Sequence, residues 1–132
     1  MKNVKEYYKL LGKLAYSVAI ADGVIQEEER DALRKGVLSD FAMNESAFDS
    51  SGMNKAFYVD FEFDEGNQQQ PDMYKTLKKF ADFIEENYER TDLDLLQRST
   101  LLLEKVANAY SKSKEKIIIE TLKNKINATL FI

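Results

Sequence analysis

Five acidic side chains crowd one short stretch of the sequence, Asp22, then Glu27, Glu28 and Glu29, and Asp31, within LAYSVAIADGVIQEEERDAL (residues 14–33). Carboxylates in such a pattern have two chemistries open to them. They can coordinate a hard cation through oxygen. They can also satisfy free backbone N–H groups at a helix start, where the helix dipole favours negative charge. Gln26 and Glu29 lie three apart, the spacing at which a polar side chain and an N3 carboxylate cap a helix reciprocally. Gly23 suits the residue that ends a preceding helix, because it takes positive φ without a Cβ clash. The run DGVIQEEE also matches the second half of an EF-hand loop. Its first half does not, since Val18 and Ile20 stand where the leading carboxylates belong. Calcium takes roughly six to eight oxygens, more than this loop supplies. Asp22 and Glu29 are therefore the candidate metal ligands, and a structural reading is preferred in which Asp22 closes a turn and Glu29 caps the next helix.

Little else in the sequence has the residue types for catalysis. There is no Cys and no His, which removes thiol nucleophiles, disulfides, the commonest general base and the commonest zinc ligands. Asp60, Glu62 and Asp64 could pair for acid/base work, but alternating acids on an exposed face usually serve solvation. No P-loop or GxGxxG is present. The sequence thus predicts a protein that is not an enzyme and needs no cofactor, with a divalent metal as the one alternative.

The stretch around Asp22 also carries a resemblance. Val18-Ala19-Ile20-Ala21-Asp22-Gly23-Val24-Ile25, followed by Glu29 and Leu33, resembles the signature of the tellurite-resistance TerB family, which is similar to the N-terminal domain of DjlA-type co-chaperones. The resemblance implies a compact all-α domain, cytosolic or on the cytosolic face of a membrane. It further implies a stress-linked interaction role, and acidic residues that bind a divalent metal. Departure from that pattern comes in a weak internal echo. Leu102–Leu122 (LLEKVANAYSKSKEKIIIETL) repeats the hydrophobic frame of Leu14–Leu33, with Tyr110-Ser111 in place of Asp22-Gly23 and without the acids. A site drawing carboxylates from both hairpins would lack half its ligands.

Composition sets the outer bounds. A chain of 132 residues, 44% hydrophobic and 32% charged, with one Pro and five Gly, fits a single helical domain spanning 1–132. MKNVKEYYKL has no apolar run of signal-peptide length, and no segment approaches membrane-spanning length, so a cytoplasmic protein without membrane insertion is expected. The net charge of −4 argues against nucleic acid as partner, as does the absence of aromatics interleaved with Lys112–Lys116. Charge is nevertheless uneven: Asp40–Asp72 holds eight acids against one base, and Lys105–Lys125 six lysines against two acids. These are solvated faces, or else an electrostatically matched contact with a partner or a second copy.

Periodicity places the elements that must position these residues. Asn3–Ala21 reads as a helix with the stripe Tyr7, Leu11, Leu14, Val18 and Ala21, and with Gly12, Ala15 and Ala19 as a small-residue face for close approach. A second helix runs from Gln26 to about Phe41, and 44–52 is a loop or single turn. In Met53–Asp64, Val59, Phe61 and Phe63 alternate as in a strand, whereas Met53, Phe57 and Phe61 fit a helix, and helix with an extended end is favoured. Glu65–Pro71 reads as a loop, with Pro71 opening the next helix. That helix carries Tyr74, Leu77, Phe80, Ala81, Ile84 and Tyr88. Thr91 and Asp94 make a capping pattern for a helix through Leu95, Leu102, Val106 and Ala109. After a break at 111–113, a last helix bears Ile118, Leu122, Ile126 and Leu130, with Ile117, Ile119, Phe131 and Ile132 making it apolar on more than one side. The fold expected is an all-α bundle of five to seven helices, arranged as two degenerate hairpins. Its core is Leu14, Val18, Leu33, Leu77, Phe80, Ile84, Leu102, Val106 and Leu122, and the final helix is the surface for a protein partner or homodimer.

Overall fold

The computed structural model describes residues 3–20, 24–42, 54–89, 92–109, 120 and 123–124. Among these, five α-helices and one π-helical turn make an all-α bundle: α1 (Val4–Ala19), α2 (Glu27–Gly36) running into the π segment (Val37–Ala42), α3 (Phe57–Gln69), α4 (Met73–Asn87) and α5 (Leu93–Asn108).

Helix α1 is the element the others surround. It touches α3, α4 and α5, and from Leu14 to Ala19 every side chain is buried. A helical segment buried on all sides has to be wrapped, and three helices pack on α1. The small-residue face is used for close approach: a Cβ on Gly12 would overlap the carbonyl oxygen of Val59 and come within 2.9 Å of the Glu62 Cβ. One turn on, the ring of Tyr16 lies flat against Gly66 of α3, so that no Cβ fits there either. The two glycines let α1 and α3 approach more closely than side chains would allow.

The expected core is found where it can be seen. Leu14, Val18, Leu33, Leu77, Phe80, Ile84, Leu102 and Val106 are all buried, and Leu122 lies outside the described residues. Tyr7, from the expected α1 stripe, and its neighbour Tyr8 are fully buried. Tyr7 packs 5.3 Å from Phe80, and Tyr8 meets Phe41 edge-on at 6.0 Å. The Ser99 hydroxyl donates to the Leu95 carbonyl at 2.8 Å, so the Tyr7 hydroxyl is the donor in its short bond to Ser99 Oγ. Burial pushes the Tyr7 phenol well above the ordinary tyrosine range.

Several expectations are corrected. Residues Glu65–Gln69 are the last turns of α3, not loop, and the α3–α4 connection shrinks to Gln70, Pro71 and Asp72. The cause is α1: Gly66 belongs to the packed face, so the helix continues past the polar residues that suggested a break. The alternation at 59–63 is accidental, since α3 buries Val59 and Phe63 and leaves Phe61 47% exposed. Pro71 does not open α4; Asp72 is its N-cap and accepts from the Lys75 N–H at 2.9 Å. Tyr74 is 75% exposed, because it sits roughly 100° round the helix from the Leu77, Phe80 and Ile84 stripe at 3.6 residues per turn. Asp92, rather than Thr91, holds the N-cap position of α5 and accepts from the Glu89 N–H at 2.8 Å. The second helix ends at Gly36, and the π turn beyond it buries Val37 and Phe41. Residues 21–23, the 44–52 loop, most of the second hairpin and the apolar residues of the last helix lie outside the described residues.

The Tyr7–Ser99 pair is the buried polar link between α1 and α5, and its two halves are unequal. Ser99→Ala leaves a buried phenol without its acceptor and is expected to cost about 1–3 kcal/mol, against about 0.5–1.5 kcal/mol for Tyr7→Phe, after which Ser99 still donates to Leu95. The double variant should lose less than the sum of the singles in urea melts. With its folded pKa raised, Tyr7 contributes stability that is intact below 10.0 and is lost as pH rises, because the unfolded chain gives up its proton first. Tyr7→Phe should flatten that alkaline decline.

Candidate functional site

Of the two candidate metal ligands, Asp22 lies outside the described residues and Glu29 is fully buried. The Glu29 carboxylate accepts from the Gln26 N–H at 2.9 Å, the N3-to-N-cap half of a capping box. Its neighbours Glu27 and Glu28 point to solvent from the first turn of α2, where the dipole favours them. Among the described residues no group of three or more Asp and Glu side chains is arranged to hold a metal ion. A cation seeking Glu29 would have to displace a formed helix cap.

The second acidic set divides between two surroundings. Asp60 and Asp64 face α2, where Arg30 meets Asp64 at 3.0 Å and Arg34 meets Asp64 at 3.5 Å and Asp60 at 3.6 Å. The pairs run in opposite directions along the two helices, so this is an antiparallel charge ladder at i, i+4 spacing. Arg30 also lies over the Phe63 ring, 5.9 Å from its centroid. Glu62 faces α1 at Gly12 and does not join the other two. The acids of α3 are thus partly neutralised from within the chain and do not converge as an acid/base pair. Burial, and next the charge of Asp64, raise the Asp60 carboxyl above its usual range, with Arg34 only partly offsetting them.

The concave surface lies elsewhere, along α1. Three depressions of about 470, 390 and 420 Å³ adjoin one another. The first and second share Ile20 and Asn67; the second and third share Gln70 and Pro71. Together they form one trough from Val24–Arg30, past Tyr16 and the α3–α4 turn, to Lys13, Lys75 and Lys79. Tyr16 shapes its middle: the ring packs on Gly66 and the hydroxyl donates to Asn67 Oδ1 at 2.7 Å, leaving the Asn67 amide nitrogen free to donate. Gln70, beside it, ends α3 in the left-handed region at φ 45°, its N–H bonded to the Gly66 carbonyl at 2.7 Å. A side-chain-bearing residue there costs about 1 kcal/mol relative to the right-handed region.

The trough offers side-chain amides, lysine ammonium groups, the carboxylates of Glu6 and Glu27 and an apolar floor of Ile20, Ile25 and Pro71. These bind and orient; none is a nucleophile paired with a base. Sequence reasoning read Ile20 and Ile25 only within a family signature and Pro71 only as a helix start, and it passed over Asn67, Gln69 and Gln70 because 65–71 read as a plain polar loop. The available signal was Gly66, a glycine three residues before the end of α3, which packs against Tyr16 of α1.

No protein-family model, curated protein or solved structure matches the chain.

Two substitutions separate cap from ligand. Glu29→Gln keeps an N3 acceptor and should leave the melting temperature nearly unchanged, whereas Glu29→Ala loses the cap and should cost about 0.5–2 kcal/mol. Both effects should persist in a chelator, and isothermal titration with calcium, magnesium or zinc should give no stoichiometric binding at micromolar metal. Tight binding abolished by Glu29→Gln would make Glu29 a ligand. At the charge ladder, Asp60→Asn should cost less than about 0.5 kcal/mol at neutral pH despite removing an ion pair. The sign follows from its raised pKa: such a group favours the fold below the unfolded value of 3.8 and loses that contribution as pH rises. The variant's stability relative to the parent should therefore improve from acid to neutral pH, as followed by thermal melts.

Proposed function

We propose that this chain is a non-catalytic helical interaction module of the TerB-like kind, acting through protein contacts in a bacterial stress or tellurite-resistance response in the cytoplasm. The observation that carries the reading is the trough along α1, a continuous concave surface made of recognition groups rather than reacting ones. The chain's lack of Cys and His points the same way. The use of Glu29 as a buried helix cap weighs against the alternative, a metal-sensing domain at the Asp22 turn. None of the helices in the described residues is long and apolar enough to cross a membrane, in keeping with a module that meets its partners in water. The apolar residues Ile117, Ile118, Ile119, Ile126, Leu130, Phe131 and Ile132 supply, by sequence, a second contact surface for a partner or another copy of the chain.

Peptide selection on the immobilised full chain tests the reading. Asn67→Trp and Val24→Trp each place a large ring in the trough at a solvent-exposed position, and circular dichroism verifies that each variant folds. Peptides enriched on the parent should bind both variants at least about tenfold more weakly, as expected when the centre of a contact is blocked. Enrichment indifferent to both substitutions would sink the trough as the contact surface.

A further inference from the structure

The two ends of the trough differ in charge and polarity, and that difference identifies what fits it. At the α4 end stand Lys13, Lys75 and Lys79, which outnumber the two acids lining it, Glu6 and Asp72. Among the described residues none of these lysines takes part in an ion pair. Asp72, the nearest acid on α4, is committed to the Lys75 N–H as a helix cap. At the other end Ile20, Val24 and Ile25 form an apolar surface, with Val24 56% exposed. Arg30, which also lines that end, is held by Asp64. Between the ends lie Asn67 and Gln70, exposed amides that can donate and accept, as the backbone of an extended chain requires.

Length fixes the size of the occupant. Between Leu10 at its lysine end and Ile20 at its apolar end the trough runs along α1 for about 15 Å at 1.5 Å per helical residue, which an extended strand covers with about five residues at 3.3 Å each. Resting on the interaction-module reading above, we infer that the trough binds an extended peptide segment of a partner protein, about five residues long, with acidic side chains over Lys13, Lys75 and Lys79 and apolar ones over Ile20, Val24 and Ile25. Ammonium groups supply steering and register, and the apolar end supplies buried area.

Two acetylated, amidated pentapeptides test this, Glu-Glu-Ser-Leu-Leu and its reverse Leu-Leu-Ser-Glu-Glu, titrated into the ¹⁵N-labelled full chain. One of the two should shift the amides of Asn67, Gln70 and Lys75, and the shift should weaken as salt is raised. The double variant Lys75→Glu, Lys79→Glu should bind that peptide at least about fivefold more weakly and should accept the matching peptide with Lys in place of Glu, since reversing both partners restores complementarity. Both lysines are exposed, so the variant is expected to fold. Equal binding of the Lys-bearing peptide to the parent, or no shift at those three amides with any of the peptides, would overturn the inference. Trough-dependent peptides from the selection that lack acids would overturn this inference alone. A selection yielding no trough-dependent peptide would overturn both readings.

Discussion

The close approach of α1 and α3 at two glycines is the constraint on which the rest of the molecule depends. At Gly12 the backbone carbonyl of Val59 occupies the space a side chain would need, and at Gly66 the ring of Tyr16 does. Because Tyr16 lies flat on Gly66, its hydroxyl reaches Asn67, and its edge meets Phe63 at 6.0 Å with the rings nearly perpendicular. Because Gly66 sits inside the packed face, α3 must continue until Gln70, which turns the chain in the left-handed region and delivers Pro71 and Asp72 to the start of α4. The trough is the outer surface of that arrangement. An alanine at either glycine would press α3 away from α1, and in a close-packed interior such displacement is not absorbed locally.

Helix α2 is held differently. It packs on α5 and continues into the π turn, while its link to α3 is the ladder of Arg30 and Arg34 with Asp64 and Asp60. Exposed or half-exposed ion pairs contribute little to stability, so the apolar contacts of Leu33, Val37 and Phe41 hold this side of the bundle. The ladder fixes direction and register, and it withdraws Asp60 and Asp64 from partners outside the chain. The acidity of residues 40–72 therefore overstates the charge that α3 presents to solvent.

How much of this was legible in the sequence follows from the period of each segment. Helices α1, α4 and α5 carry long 3.6-residue stripes whose centres, Leu11, Leu14 and Val18, Leu77, Phe80 and Ile84, and Leu95, Leu102 and Val106, are buried, although burial spreads beyond the stripes to Tyr8, Tyr16, Thr76, Leu96 and Leu103. The Gln26–Glu29 cap was legible because it is a local rule that needs no tertiary knowledge. Helix α3 was not, because burial there is set by glycines and by one side of α1: Val59 and Phe63 go in, Phe61 stays out, and the polar tail 65–69 is helical only because Gly66 is gripped. Tyr74 misled because spacing alone cannot tell the edge of a stripe from its centre. The π turn had no signature at all: Val37 and Phe41 are four apart, as compatible with an α-helix as with the wider turn they adopt. The trough was illegible for a related reason, since it is assembled from α1, the 24–26 connection and the α3–α4 turn, none of which is informative by itself.

Glu29, which suggested a site, shares with Asp72 a role that ties sequence to surface. Glu29 caps α2 at one end of the trough and Asp72 caps α4 at the other. Each turns its charge toward backbone N–H groups and so fixes the chain just before a helix: Val24–Gln26 in the first case, Gln70–Pro71 in the second. With both acids engaged by the backbone, the lysines at the α4 end outnumber the one uncommitted acid there, Glu6, and a surface net acidic by composition acquires a locally basic end. A helix cap worth about 1 kcal/mol is a small contribution to stability. Placed at both ends of one concavity, such caps have a larger consequence, because they decide which functional groups point outward and how rigidly they are held.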